Sequence, residues 1–76
     1  MNSTYLTRVD AEKNMARYYH SEVLPTLFGD WILHREWGRI GQGGQKRRDW
    51  FDSEDQALTA QDKIMAKKRR KGYEGH

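Results

Sequence analysis

Large side chains recur at every second position from Arg17 to Val23 and again from Trp31 to Arg39, the period of strands with two unlike faces. In the first run Arg17, Tyr19, Ser21 and Val23 share one face, and Tyr18, His20 and Glu22 take the other. Tyr19 and Val23 are assigned to the core. In the second run Trp31, Leu33, Arg35, Trp37 and Arg39 lie together, opposite Ile32, His34, Glu36, Gly38 and Ile40. These patterns predict strands over residues 15–24 and 31–40. A weaker pattern over 4–9 predicts an edge strand, with the polar stretch 10–14 as the turn that follows it. Gly41, Gln42, Gly43 and Gly44 form a turn, and residues 45–52 return as a fourth strand, completing an antiparallel hairpin.

Pro25 cannot donate to a sheet ladder, so the strand before it ends near Leu24. In the connection that follows, Gly29 is free to take positive φ. Leu27 and Phe28 are too apolar for a bare loop and are expected to fold back on the core.

From Ser53 the period changes. Ala57, Leu58, Gln61, Ile64, Met65 and Lys68 fall at helical spacing and give a narrow apolar stripe. Ser53 and Gln56 fit a capping box, and Asp52, Glu54 and Asp55 place negative charge at the positive end of the helix dipole. Gly72 is placed to stop the helix as its C′ residue. The fold class is therefore α+β: a small antiparallel sheet of about four strands with one C-terminal helix packed across it. Seventy-six residues make one domain, read as 1–76 with its core over about 5–73.

Composition narrows the chemistry. With no cysteine there are no disulfides, thiolate metal sites or thiol redox chemistry, so three Trp, four Tyr and two Phe must carry much of the core. No run of about 18 apolar residues is present, and the N-terminus lacks the basic and apolar regions of a signal peptide. The expected address is cytoplasmic, with no membrane partner. Charge is uneven: residues 35–76 hold eleven basic against seven acidic groups, and residues 1–34 three against four. The excess lies in Lys46, Arg47 and Arg48 and in Lys67, Lys68, Arg69, Arg70 and Lys71, a clustering that suits a polyanion. The second cluster either extends a basic surface or only complements the helix dipole.

No catalytic constellation assembles. His20, His34 and His76 have no neighbours at metal-ligand spacing, and Ser3, Ser21 and Ser53 lack a nucleophile context. His34 and Glu36 form an exposed same-face pair. The glycines from Gly38 to Gly44 match neither a dinucleotide nor a P-loop pattern and lead into a strand. The chain reads as a non-enzyme without cofactor or metal. What remains is a binding surface: Arg35, Trp37 and Arg39 emerge side by side near the hairpin turn, with Lys46, Arg47 and Arg48 on the returning strand. Arginines supply charge-assisted bonds to phosphate, and an accessible indole stacks on a base or sugar. Periodicity alone leaves Trp37 open to either use, packed in the core or across the strands on Trp50, or presented to a ligand.

Trp37-Gly38-Arg39 followed by Ile40-Gly41 resembles the signature of the WGR domain. Asn14-Met15-Ala16-Arg17-Tyr18-Tyr19, Pro25-Thr26-Leu27-Phe28-Gly29, Trp31-Ile32-Leu33, Arg35-Glu36, Gly44-Gln45, the helix start at Ser53 and the closing stretch 67–73 extend the likeness over nearly residues 5–73. The whole resembles a compact bacterial stand-alone version of that domain. The resemblance implies a nucleic-acid-binding role, for DNA before RNA. In poly(ADP-ribose) polymerases the similar domain helps grip DNA break ends, with its signature Trp against the terminal nucleotide. By match of position Trp37 is then the stacking residue, and Arg39 either touches nucleic acid or holds the strand and a neighbouring domain. ADP-ribosyl transfer is not implied, because the catalytic region of those polymerases is not matched. The alternative expectation is a protein-interaction module that uses the same Trp and Arg surface as its anchor.

Overall fold

The computed structural model describes residues 2–75; Met1 and His76 lie outside the described residues. The chain runs β1 (Asn2–Asp10), β2 (Met15–Pro25), β3 (Trp31–Arg39), β4 (Gln45–Phe51), α1 (Glu54–Arg70) and β5 (Glu74–Gly75). All pairings are antiparallel and make one sheet in the order β4-β3-β2-β1-β5. The expected α+β architecture is therefore the observed one, with one strand more than the periodicity gave. β5 pairs Leu6 with Gly75 and Thr7 with Glu74, so part of β1 is internal to the sheet. Two residues are too few to show an alternation, which is why β5 has no sequence signal. No helix among the described residues is long and apolar enough to cross a membrane.

The helix begins where the capping residues place it. Ser53 is the N-cap, and its Oγ accepts from Gln56 N at 3.2 Å. The Gln56 side chain reaches back one residue further than a capping box requires, accepting from Asp52 N at 3.2 Å. The helix lies on the sheet face that carries Leu6, Tyr19, Ser21, Val23 and Leu33, and buries Ala57, Gln61 and Met65 against it. The core falls into two clusters. Leu6, Tyr19, Met65 and Tyr73 form one, joined by Trp37 and Ile64; Val23, Leu33 and Ala57 form the other, flanked by Trp31 and Phe51. Between them runs a polar seam. Gln61 Nε2 donates to Ser21 Oγ (3.0 Å) and to the Asn2 carbonyl (3.3 Å), and Ser21 shares a 2.6 Å hydrogen bond with Thr4. Such a bond leaves few buried polar groups unpaired and fixes the helix at one position along the sheet.

Tyr19 and Val23 are buried as their alternation predicts. Leu27 and Phe28 are not: they do not fold back on the core and are 98% and 93% exposed. The connection is too tightly closed to let them reach it. Thr26 N donates to Asp30 O at 3.0 Å, Phe28 N donates to Thr26 Oγ1 at 3.1 Å, and the Thr26 hydroxyl also bonds the Asp30 carboxylate. Gly29, at φ +92°, completes the tip. Nor does Trp50 pack on Trp37. Trp37 lies opposite Gln45, and Trp50 opposite Ile32 on the other face of the sheet.

The glycines next to Trp37 serve a close approach. Tyr18 lies across Gly38 and Gly44, stacks on Tyr5 with ring centroids 6.1 Å apart, and donates to Glu36 Oε2 at 2.9 Å. A Cβ on Gly44 would press into the Trp37 carbonyl oxygen and sit 2.5 Å from Tyr18 Oη, whereas one on Gly43 would meet nothing within 4 Å. Gly44→Ala is therefore expected to destabilise the fold by about 1–3 kcal/mol, the range for overpacking. Gly43→Ala should stay within about 0.5 kcal/mol of wild type. Urea unfolding of the two variants checks the contrast, and equal effects would contradict it.

Candidate nucleic-acid interface

The register of β2 on β3 places Arg17 directly opposite Arg39, Tyr18 opposite Gly38 and Tyr19 opposite Trp37. The two arginines thus stand side by side on the helix-bearing face, at the end of the sheet where the helix stops. Like charges in directly opposed positions oppose folding. Arg39 is partly held: its Nη1 donates to the Asn14 carbonyl (3.1 Å) and its Nη2 faces Asn14 Oδ1 at 3.4 Å. Asn14 has positive φ (50°) in the β1–β2 turn, so Arg39 ties that turn to β3.

The end of the helix brings in the rest of the site. Gly72 takes φ +98°, its N–H bonds Arg69 O, and Tyr73 N bonds Lys68 O, each at 3.0 Å. These are the two hydrogen bonds of a Schellman stop, which folds the residue after glycine back over the last turn. Tyr73 is that residue. Its ring comes to 5.2 Å from Lys68 Nζ, and the Tyr19 ring to 5.1 Å on another side. Both contacts are cation–π contacts, which hold the ammonium at the sheet surface.

Arg17, Trp37, Gly38, Arg39, Lys68 and Tyr73 line a recess of about 480 Å³. Trp37 is half-buried, one part of its ring packed on the Leu6–Tyr19–Met65–Tyr73 cluster. The Arg35 guanidinium lies 5.8 Å from its ring centroid. Among the described residues the ion pairs are Arg35 with Asp49 at 3.3 Å and Arg47 with Asp49 at 3.2 Å. Neither involves Arg17, Arg39 or Lys68. Burial holds Lys68 below the usual lysine range, helped by the like charges of Lys71, Arg35 and Arg17. The recess is thus walled by cations that no carboxylate among the described residues neutralises, beside the faces of two aromatic rings. Burial also raises the Tyr19 phenol, with the nearby Arg35 charge pulling the other way.

The expected site residues divide sharply. Trp37 and Arg39 line the recess. Arg35 and Arg47 share its sheet face but are drawn to Asp49 between them. Lys46 and Arg48 point to the opposite face, where Lys46 stands across from Glu36 and Arg48 reaches towards His34 Nδ1 at 3.5 Å. Adjacent residues of one strand cannot serve one face. Of the C-terminal run, Lys68 enters the recess. Lys67 and Arg70 line a separate hollow of about 380 Å³ on the helix flank with Lys63, Ile64 and Ala66, where aliphatic surface dominates. Arg69 and Lys71 are exposed. Two recess residues were not singled out from sequence, Arg17 and Tyr73. Arg17 shares the face of Tyr19, and Tyr73 follows Gly72, so the strand period and the helix stop both held a signal. Among the described residues no group of three or more His, Asp or Glu is placed to hold a metal ion.

Comparison with known proteins identifies the family and the fold. The family model for the WGR domain matches residues 2–76. An uncharacterized protein of Sinorhizobium fredii, y4dW, is 44% identical over 69 residues, which cover 91% of this chain and 34% of that protein. The chain thus spans about a third of the length of the curated relative it matches. The crystal structure of a Bacteroides fragilis protein superposes over 99% of this chain and 19% of its own, with a TM-score of 0.77 at 24% identity, a likeness of fold. On the family match over its whole described length, the chain belongs to the WGR domain family.

Proposed function

We propose that this chain binds nucleic acid, DNA before RNA, in the recess between the Arg17–Arg39 pair and the helix end. WGR domains are in general nucleic-acid-binding modules. The observation that carries the reading for this chain is the group of three cations, Arg17, Arg39 and Lys68, set around half-buried Trp37 without a carboxylate partner among the described residues. A phosphate entering there relieves the repulsion between the opposed arginines and favours the charged form of Lys68, which burial disfavours. The exposed part of Trp37 meets the terminal or unpaired base or sugar next to that phosphate, with Arg39 both tethered to Asn14 and facing the ligand. Arg35 and Arg47 flank the contact, and Lys46 and Arg48 stand outside it. No helix enters a groove in this arrangement, so the contact is with backbone and ring and is weakly selective for sequence. We assign no catalytic step and no cofactor.

Salt titration tests the reading. Neutralising about three phosphates gives a slope of log K against log[salt] close to −3. Binding through an apolar anchor on a protein partner would be nearly flat in salt and would contradict it. Trp37→Leu keeps apolar contact with the core but removes the ring. It should weaken binding to duplex ends or single strands about 5- to 150-fold, from the roughly 1–3 kcal/mol of base stacking, at an unchanged slope.

Lys68→Met separates binding from folding. The unbranched apolar chain still covers Tyr19 and Tyr73 and removes a charge that its surroundings disfavour. Stability should therefore stay within about 1 kcal/mol of wild type while the salt slope becomes shallower by about one. A collapse of stability with unchanged binding would reverse the assignment. The pH dependence follows in sign. The free protein holds Lys68 below its usual range and a bound phosphate raises it, so binding takes up a proton and wild-type affinity falls as pH rises through the Lys68 titration. In Lys68→Met that contribution should vanish.

A further inference from the structure

The helix covers one face of the sheet, and the other carries the largest exposed apolar side chains. Leu24, Ile32 and Trp50 stand in one row across β2, β3 and β4, and Trp50 is 58% exposed. At the end of the same hairpin the closed tip holds Leu27 and Phe28 out in solvent. One-sided antiparallel sheets usually show polar residues on their open face. With aromatics of about 150–250 Å² each, these five side chains make a patch near 500 Å², at the upper end of what a monomer normally exposes.

The next row identifies the occupant. Glu22 on β2, His34 on β3 and Arg48 on β4 stand directly across from one another, with acid on one flank and base on the other. Glu22, Leu24, Ile32, His34 and Arg48 also line a hollow of about 260 Å³. A two-fold axis running nearly along β3, above this face, would lay β2 of one copy over β4 of the other. Glu22 would then face Arg48 of the second copy twice over, and each Trp50 would come down on Leu24 beside the hollow. The two Leu27–Phe28 tips would meet at the same end. Glu22 and Glu36 share this face with Lys46 and Arg48, so it offers a polyanion no net positive charge.

We propose that this face is the interface of an isologous dimer, two sheets packed face to face with the helices outside. Aligned sheets of this kind pack about 10 Å apart, and their twist separates them away from the contact, towards the row that holds Glu36. The apolar patch and its charged row together approach the roughly 800 Å² per partner of a stable interface. The recess lies on the outer face in this dimer, so the inference is independent of the nucleic-acid reading.

Sedimentation equilibrium of the 76-residue chain from micromolar to millimolar concentration tests it, with thermal melts confirming that each variant folds. Wild type should dimerise. Glu22→Arg and Arg48→Glu should each weaken the dimer by about tenfold or more, since symmetry makes every substitution act twice and like charges repel. The double variant Glu22→Arg/Arg48→Glu should recover wild-type association. A strictly monomeric wild type overturns the proposal, as does association that neither single substitution alters or that the double variant fails to restore. A monomer whose Trp50 indole signal responds to duplex DNA would give the face to nucleic acid and overturn it as well.

Discussion

One helix can cover only one face of this sheet, and most properties of the molecule follow from how it lies there. Seventeen helical residues reach about 25 Å, enough to cross from the Phe51 end of the sheet to the Trp37 end once. The hydrogen bond from Gln61 to Ser21, both buried, fixes that crossing in register. A slip by one residue would take the buried Gln61 amide away from both Ser21 and the Asn2 carbonyl, so the position of everything after Gln61 is set by these bonds. Lys68 lies two turns further on, and the Schellman stop then returns Tyr73 over it.

The recess is a consequence of that ending. The helix stops over Tyr19 and leaves the Arg17–Arg39 pair uncovered at the sheet end, so the floor is aromatic and the rim cationic. Opposed arginines and a lysine held below its usual range are unfavourable for the isolated fold. Further along the same face Asp49 bonds both Arg35 and Arg47, and on the other face Glu36 takes the Tyr18 hydroxyl across from Lys46. In the proposed reading, a bound anion offsets these charges.

The architecture was legible because strand alternation and helix caps are local signals. Ser53, Gln56 and Gly72 lie where their chemistry puts them, and Tyr19 and Val23 are buried as their period requires. The misreadings have the opposite character. Lys46, Arg47 and Arg48 do not form one patch, because the alternation that sorts β2 and β3 also divides β4 between two faces. Leu27 and Phe28 were expected inside because apolar side chains favour burial, but the Thr26–Asp30 closure allows them no route there. Arg17 needed the β2–β3 register, and Tyr73 needed the helix end in three dimensions. The strand period and the helix stop give each its face, but not its neighbours across the fold. The role of Gly44 was hidden for the same reason, since the atoms that exclude a side chain belong to Trp37 and Tyr18.

Three tryptophans in three environments make the central claim directly measurable. Trp37 lines the recess, Trp31 flanks the second core cluster, and Trp50 projects from the opposite face. Proton–nitrogen correlation spectra resolve one indole signal for each, and single Trp→Phe variants assign them. On titration with a short duplex bearing a free end, the Trp37 indole should shift progressively and saturate with the backbone amides of Arg17, Gly38 and Tyr73, while Trp31 and Trp50 stay in place. A saturating titration that moves Trp50 and leaves Trp37 unmoved would contradict the assignment of the recess as the nucleic-acid site.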